Sequence, residues 1–476
     1  MILQREQQVP VWGNASPDEQ IRVTFAGQTK TTKADQQGKW MVKLDPLEAS
    51  TTGQKMIISG KTELIISDIL VGEVWICSGQ SNMQFNVNAV PEIKGLIPFK
   101  KNIRSFEVKR TVSIKEKEDV IGRWTTDAPS SAVAFSFAFF LENISDIPVG
   151  IIHASWGSSS LEAWMPRDMT EQVPHFNTIM QEFDADVATQ KRIQQILSKR
   201  EGWSRQDDIF LRRQPNILYN AMIQPLAPFA SRGLVWYQGE RNTRYLSGMP
   251  EVTEKNWFHR VAGMQEYGAV LSKWIMRYRQ EWQNEEMNFM IIMLPGYGKG
   301  TIEKPNIDPE DPTEHSWAWI RASQLEVLNL PNTAVANTID LGDVRNIHPK
   351  DKMPIGQRLA LLAAKNTLQQ NIIAEGPMIE KVERIDQQLK VYFHHADGLK
   401  TSNNQAPTGF WLADETGEFK KADAQIVNET VMLSSKEIEN PVYVRYAFAG
   451  KPKVNLVNSA GLPAYPFRVN ILESKQ

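Results

Sequence analysis

Four short segments of this chain carry groups that together can act on an ester carbonyl. Cys77-Ser78-Gly79-Gln80-Ser81-Asn82-Met83 presents a hydroxyl on a small, turn-prone sequence. Ser155-Trp156-Gly157-Ser158-Ser159-Ser160 contains a glycine, whose backbone can approach a substrate closely and present a free amide. Gln238-Gly239-Glu240-Arg241-Asn242 holds side-chain amides suited to polarising a carbonyl oxygen. Asp340-Leu341-Gly342-Asp343-Val344-Arg345-Asn346-Ile347-His348-Pro349 holds one imidazole with acids nearby. Serine hydrolysis needs a nucleophile, an imidazole base, a group that fixes the imidazole, and oxyanion donors. Taken singly, each segment has a plainer reading; Gly79-Gln80-Ser81-Asn82 also fits an ordinary turn with Ser81 or Asn82 as a helix N-cap. Four such segments in chain order, each supplying a different part, favour a serine hydrolase with Ser81 as nucleophile and His348 as base.

Groups this far apart in sequence need a frame that gathers them. The apolar run 65–76 reads as one or two buried strands ending just before Ser81. Runs 149–154, 233–237, 290–294 and 333–339 are further buried-strand candidates, and each of the polar segments after Ser81 follows one of them. Helical patterns fall at 130–144, 256–283, 317–328 and 354–370. Strands alternating with helices predict an α/β fold with a parallel sheet, which binds ligands at the carboxyl ends of its strands. The polar stretch 170–215 is expected to be a surface excursion near the site. Residues 1–70 show period-2 runs between turn clusters and predict a sandwich-like β region. The catalytic domain is expected over 71–372, and strand patterns return in a second β-rich region over 373–476.

Several classes are disfavoured. With 476 residues the chain exceeds one compact core. A net charge of −2 argues against nucleic acid or an anionic membrane as partner, since both demand a basic face. No apolar run approaches the roughly 18 to 20 residues that span a bilayer. The single cysteine, Cys77, forbids an intrachain disulfide and reads as a small buried hydrophobe on the strand before the turn. His153 lies inside a strand run and reads as a satisfied core residue. His175, His259 and His315 sit in loop or helical contexts, and His394-His395 in the C-terminal β region. The histidines have no metal-ligand spacing, so neither a metal nor a cofactor is expected.

Gly79-Gln80-Ser81-Asn82-Met83, Trp236-Tyr237-Gln238-Gly239-Glu240 with Asn242, and Ile347-His348-Pro349-Lys350 with Lys352 resemble the sialate O-acetylesterases, within the wider group of SGNH-type carbohydrate esterases. The resemblance reaches both ends of the chain, through Met1-Ile2-Leu3-Gln4-Arg5 with Val9-Pro10-Val11-Trp12-Gly13, and through Asn455-Leu456, Gly461-Leu462-Pro463-Ala464 and Pro466-Phe467-Arg468. It implies a flavodoxin-like three-layer core that removes O-acetyl groups from sugars, sialic acid foremost. Matched position by position, Ser81 falls on the nucleophile and His348 on the base. Gly157 falls on the second-block glycine, whose amide joins that of Ser81 in the oxyanion hole. Gln238 resembles the third-block donor with Asn242 assisting, and Glu240 braces the loop.

The match departs from the pattern in two places. Many SGNH esterases carry an aspartate three residues before the histidine; here that residue is Arg345, which cannot accept a hydrogen bond. Asp343, Asn346 and Asp340 remain to orient His348, and Asp343 is preferred because a carboxylate also stabilises the imidazolium. Trp156-Gly157-Ser158 lacks the usual second glycine. Gln80, Trp156 and Glu240 are substrate-contact candidates, and Trp156, Trp164, Tyr237 and Trp317 are candidate sugar platforms. The rival readings are an acetyl-xylan or other polysaccharide acetylesterase, and a non-catalytic carbohydrate-binding protein with a decayed site. No signal peptide is visible at Met1. By resemblance the expected location is the periplasm or the cell exterior, with the cytoplasm as the alternative. The oligomeric state is open.

Overall fold

A computed structural model describes residues 1–243, 261–298, 308–312 and 316–472. Its centre is a parallel sheet of five strands: β1 (Glu63–Gly79), β2 (Val149–Ser155), β3 (Gly233–Tyr237), β4 (Asn288–Ile292) and β5 (Thr333–Ala336), in the spatial order β2-β1-β3-β4-β5. This is the flavodoxin order. The chain steps to one side of β1 for β2 and to the other for β3, and such a switch point opens a crevice at the carboxyl ends. Gly79 pairs with both Ser155 and Tyr237, so β2, β1 and β3 end level and their polar segments leave the sheet side by side. A further strand, Ile103–Glu107, pairs beside β2 and was not expected: Ile103-Arg104-Ser105-Phe106-Glu107 is short and has no clean period.

The strands read as apolar runs because both faces are covered. Trp75 on β1 meets Phe137 edge-on (5.4 Å between centroids) on one face. Trp236 on β3 meets Trp274 (4.7 Å) on the other. Register sets Trp75 opposite Gly233, three residues before Trp236, and alternation sends the two rings to opposite faces. Phe137 belongs to α2 (Ala132–Ser145) and Trp274 to α3 (Tyr267–Glu281), which follow the one-turn α1 (Ser81–Gln84) in the chain. α4 (Ser316–Leu325) packs against α3, and α5 (Met353–Thr367) against α2, where the Ser136 hydroxyl donates to the Met353 carbonyl (3.2 Å). The three-layer α/β expectation is therefore borne out. Of the expected helix 256–283, the part 256–260 lies outside the described residues and 261–266 forms bends and turns.

β1 runs unbroken across the expected boundary at residue 70. Its first part pairs antiparallel with Ser50–Ser59 of the N-terminal sheet, and its last part pairs parallel with β2 and β3. The C-terminal strands share one apolar core with β1–β5 and are tied to it by polar bonds. The buried Arg321 guanidinium donates to the Ala449 and Gly450 carbonyls, and the Tyr465 hydroxyl donates to the Val335 carbonyl (2.7 Å). The polar stretch 170–215 contains three helices, Pro174–Ala185, Val187–Leu197 and Arg205–Leu211. Phe176, Ile179, Met180 and Phe183 recur at helical spacing and are buried, so the excursion is polar on one face only. No described helix is long and apolar enough to cross a membrane.

Candidate active site

Gly79 ends β1 at φ +137°, and a Cβ there would lie 2.2 Å from the Tyr237 carbonyl oxygen. Only glycine permits that approach and that turn together. The Gln80 amide donates to the same carbonyl (3.0 Å), and the chain enters α1, whose first amides have no intrahelical acceptor. Ser81 Oγ lies 2.8 Å from Nε2 of His348. Burial, and after it the Lys352 ammonium, lower the His348 pKa below the ordinary histidine value, which favours the neutral, proton-accepting imidazole. The pair opens into a cleft of about 550 Å³ lined by Gln80, Ser81, Gln84, Phe85, Gly157, Ser158, Arg212, Glu240, Arg241, Ile347 and His348. A larger open groove of about 1360 Å³ lies on the C-terminal strands beside Glu380–Arg384 and Asp414–Thr416; no histidine lines it.

The donors around Ser81 differ from the expected set. Gly157 does reach the cleft, and a Cβ there would lie 3.2 Å from the Ser81 Cβ. Its amide donates to Gln84 Oε1 (2.6 Å). Gln238 does not line the cleft. It is fully buried, donating through Nε2 to Asn242 Oδ1 (2.8 Å) and Gln80 Oε1 (3.2 Å) and accepting from the Tyr267 hydroxyl (2.6 Å). Asn242 is buried too, its Oδ1 accepting from the Leu161 amide (3.2 Å). The amide facing Ser81 is that of Gln80. Its Oε1 is held by Gln238 Nε2 and by the Arg241 amide (3.1 Å), which aims Nε2 at Ser81 Oγ from 3.5 Å.

None of the carboxylates proposed to steer His348 reaches its ring. Asp343 Oδ1 caps its own turn, accepting from the amides of Arg345 (2.6 Å) and Asn346 (2.8 Å). Asp340 is held by both Arg358 nitrogens at 2.7 Å. Asn346 Oδ1 accepts from the His348 backbone amide (2.9 Å), not from the imidazole. Among the described residues the bond to Ser81 is the only hydrogen bond of the ring. The expected Ser81-His348-Asp343 triad is thus a Ser-His pair in this structure, with Asp343 turned to the amides of its own turn.

Glu240 does line the cleft and braces its floor: it is buried, and its Oε1 accepts from Asn82 Nδ2 (2.5 Å). Burial raises its pKa, against the Asn82 bond and the Lys352 charge. Trp156 is no sugar platform. It is buried under Trp203, stacked at 5.9 Å and 9°, and its Nε1 donates to Asp208 (3.1 Å). Trp164, Tyr237 and Trp317 are likewise buried. Sequence reasoning overlooked Arg212, which lines the cleft from the end of the helical excursion with no motif to mark it, and it gave no role to Lys352, which is fully buried.

A second Ser-His-carboxylate array lies nearby. His153 Nε2 is 2.6 Å from Ser155 Oγ and its Nδ1 is 2.8 Å from Glu107 Oε2, while Glu107 also accepts from the Ser130 amide (2.8 Å). Ser155 and His153 are buried and line neither groove, so this array braces the start of the Gly157 loop, and His153 is the satisfied core residue expected. His175 lies in Pro174–Ala185, and His395 is 3.5 Å from Glu375 in the C-terminal region. His259 and His315 lie outside the described residues.

No family model matches the chain. A sialate O-acetylesterase of Rattus norvegicus is 27% identical, the match covering 99% of this chain and 93% of that protein. The sialate O-acetylesterase of Homo sapiens is 26% identical over 80% of this chain and 72% of its own length. Among solved structures, a carbohydrate acetylesterase from Xanthomonas citri superposes with a TM-score of 0.78 at 28% identity, covering 98% of this chain and 97% of that one.

Proposed function

We propose that this chain, a relative of the sialate O-acetylesterases along nearly its whole length, is a serine esterase that removes O-acetyl groups from carbohydrate, with O-acetylated sialic acid as its substrate. The observation that carries the reading is the 2.8 Å contact between Ser81 Oγ and His348 Nε2 at the floor of an open cleft. His348 Nε2 takes the Ser81 proton as Oγ attacks the acetyl carbonyl. The backbone amides of Ser81 and Gly157 and the Gln80 side chain hold the oxyanion, and the substrate carbonyl displaces Gln84 Oε1 from the Gly157 amide. His348 returns the proton to the departing sugar oxygen. Water, activated by the same imidazole, then releases acetate from Ser81. Gln80→Ala is expected to lower kcat on the order of 10²- to 10³-fold, the usual loss for one oxyanion donor. A loss below threefold in steady-state assays would return that role to the backbone amides alone.

The sialic acid reading is supported by charge as well as by resemblance. Arg212, which also pairs with Asp208 (3.0 Å), and Arg241 line the cleft, and Glu240 is the only acid among the lining residues. Such a cleft favours a sugar that carries a carboxylate over a neutral acetylated xylan. Acetate release from O-acetylated sialic acid and from acetylated xylo-oligosaccharides is the deciding comparison. The expected result is a higher kcat/KM for the sialic acid, narrowed by Arg212→Gln about 10- to 100-fold, the worth of a charge-assisted hydrogen bond. Preference for the xylo-oligosaccharide would support the polysaccharide reading. Failure of a fluorophosphonate to label Ser81 would support a non-catalytic binding protein.

A further inference from the structure

His348 has no carboxylate on its ring, yet it stands at bonding distance from Ser81. The backbone that carries it is irregular, and irregular backbone is held in place by the hydrogen bonds it makes. One side chain from outside the segment reaches it on both sides of His348. Asn82 Nδ2 donates to the carbonyl of Ile347, the residue before His348 (3.0 Å), and Asn82 Oδ1 accepts from Nζ of Lys352, four residues after it (2.6 Å). We propose that Asn82 and Lys352 are positioning residues whose hydrogen bonds hold the His348 segment against Ser81, in place of a carboxylate on the imidazole. The inference rests on the reading of Ser81 and His348 as nucleophile and base.

The amide of Asn82 has one permitted orientation. Lys352 can only donate, and Glu240 Oε1 takes the Nδ2 hydrogen (2.5 Å), so a flipped amide would face donor to donor and acceptor to acceptor. Asn82 therefore bridges a buried cation and a buried carboxyl. Lys352 lies over the rings of Phe85 (5.4 Å) and Tyr237 (5.3 Å), and burial lowers its pKa to about 8 against the pull of Glu240 and Asp351. Because Asn82 adjoins Ser81 in the chain, the bond to Ile347 joins the nucleophile turn directly to the histidine loop. Lys352 is in addition the charge that, after burial, bears on His348.

The test measures kcat, KM, melting and the pH profile on p-nitrophenyl acetate. Asn82→Ala is expected to lower kcat about 10²-fold with KM nearly constant, the usual effect of displacing a catalytic group by about 1 Å. Lys352→Met keeps the length and removes the charge, and is expected to move the acid limb of kcat/KM upward, toward the ordinary histidine value of 6.5. A merely structural role would lower the melting temperature without moving that limb. Should Asn82→Ala fail to fold, Asn82→Ser keeps a small polar group beside Lys352 and Glu240 and is too short to bridge to Ile347, with the same loss of kcat expected. A folded Asn82 variant with kcat within threefold of the parent overturns the proposal alone, and an unmoved acid limb in Lys352→Met removes Lys352 from it. A parent protein that releases no acetate, or a Ser81→Ala variant that still does, overturns the esterase reading and this inference together.

Discussion

Ser81→Ala should release acetate from p-nitrophenyl acetate on the order of 10⁶-fold more slowly than the parent, the loss seen when a serine hydrolase is stripped of its nucleophile. The loss should lie in kcat, because the cleft walls that bind substrate are untouched. Folding should survive. Ser81 is only partly buried, and its Oγ bonds His348 (2.8 Å) and, weakly, Gln80 (3.5 Å), so its removal costs about 1 kcal/mol or less of stability. Circular dichroism and a thermal melt beside the assay separate the two effects. Mass mapping of a fluorophosphonate adduct adds a control internal to the protein: the label should sit on Ser81 and not on Ser155, although Ser155 has the shorter contact to an imidazole. The two serines differ in access, since only Ser81 opens into a cleft. A folded Ser81→Ala variant that retains one per cent of the activity would refute the assignment of Ser81.

Glu73→Ala should be the most destabilising single change considered, at about 3–5 kcal/mol, the range for breaking a buried ion pair from one side. The Glu73 side chain is fully buried near the middle of β1. It accepts from Arg5 Nε (2.6 Å) and from Arg232 Nε and Nη2 (both 2.8 Å). Both guanidiniums are largely buried, and the exposed Glu6 is their only other carboxylate among the described residues. Arg5 follows the short strand Ile2–Gln4, which pairs with Leu70–Gly72 of β1, while Arg232 lies just before β3, so one carboxylate joins the N-terminal segment to the catalytic core. Chemical denaturation of parent and variant measures the loss, and limited proteolysis should cut the first seventy residues of the variant sooner. A change below 1 kcal/mol would mean that water replaces the carboxylate at little cost.

The parallel core was legible because burial on both faces leaves strands as apolar runs, which neighbouring turns and helices delimit. Ser81 was legible because it stands at a strand end, where the chain must leave the sheet, and His348 because it lies in the polar segment that follows the last strand of that sheet. Two kinds of feature were not. Ile103–Glu107 is short and carries Arg104 and Glu107 among its apolar residues, so no period marks it. Arg212 ends a helix whose place over the cleft is set by the stacking of Trp203 on Trp156, between positions 47 residues apart (203 − 156).

From the sequence alone came the kinds of groups at the site, their order along the chain and the type of sheet that gathers them, because these depend on local pattern and on burial. The direction in which each side chain points was decided only by the tertiary structure. Gln80 faces Ser81 while Gln238 lies beneath it, because the segment after β3 holds the Gln80 amide through Gln238 Nε2 and the Arg241 backbone, and the Tyr267 hydroxyl of α3 holds Gln238. Asp343 spends its carboxylate on its own turn, and His348 is left to a clamp at Asn82 and Lys352, 270 positions apart (352 − 82). Such contacts join residues that share no local pattern, so only the folded chain brings them within bonding distance.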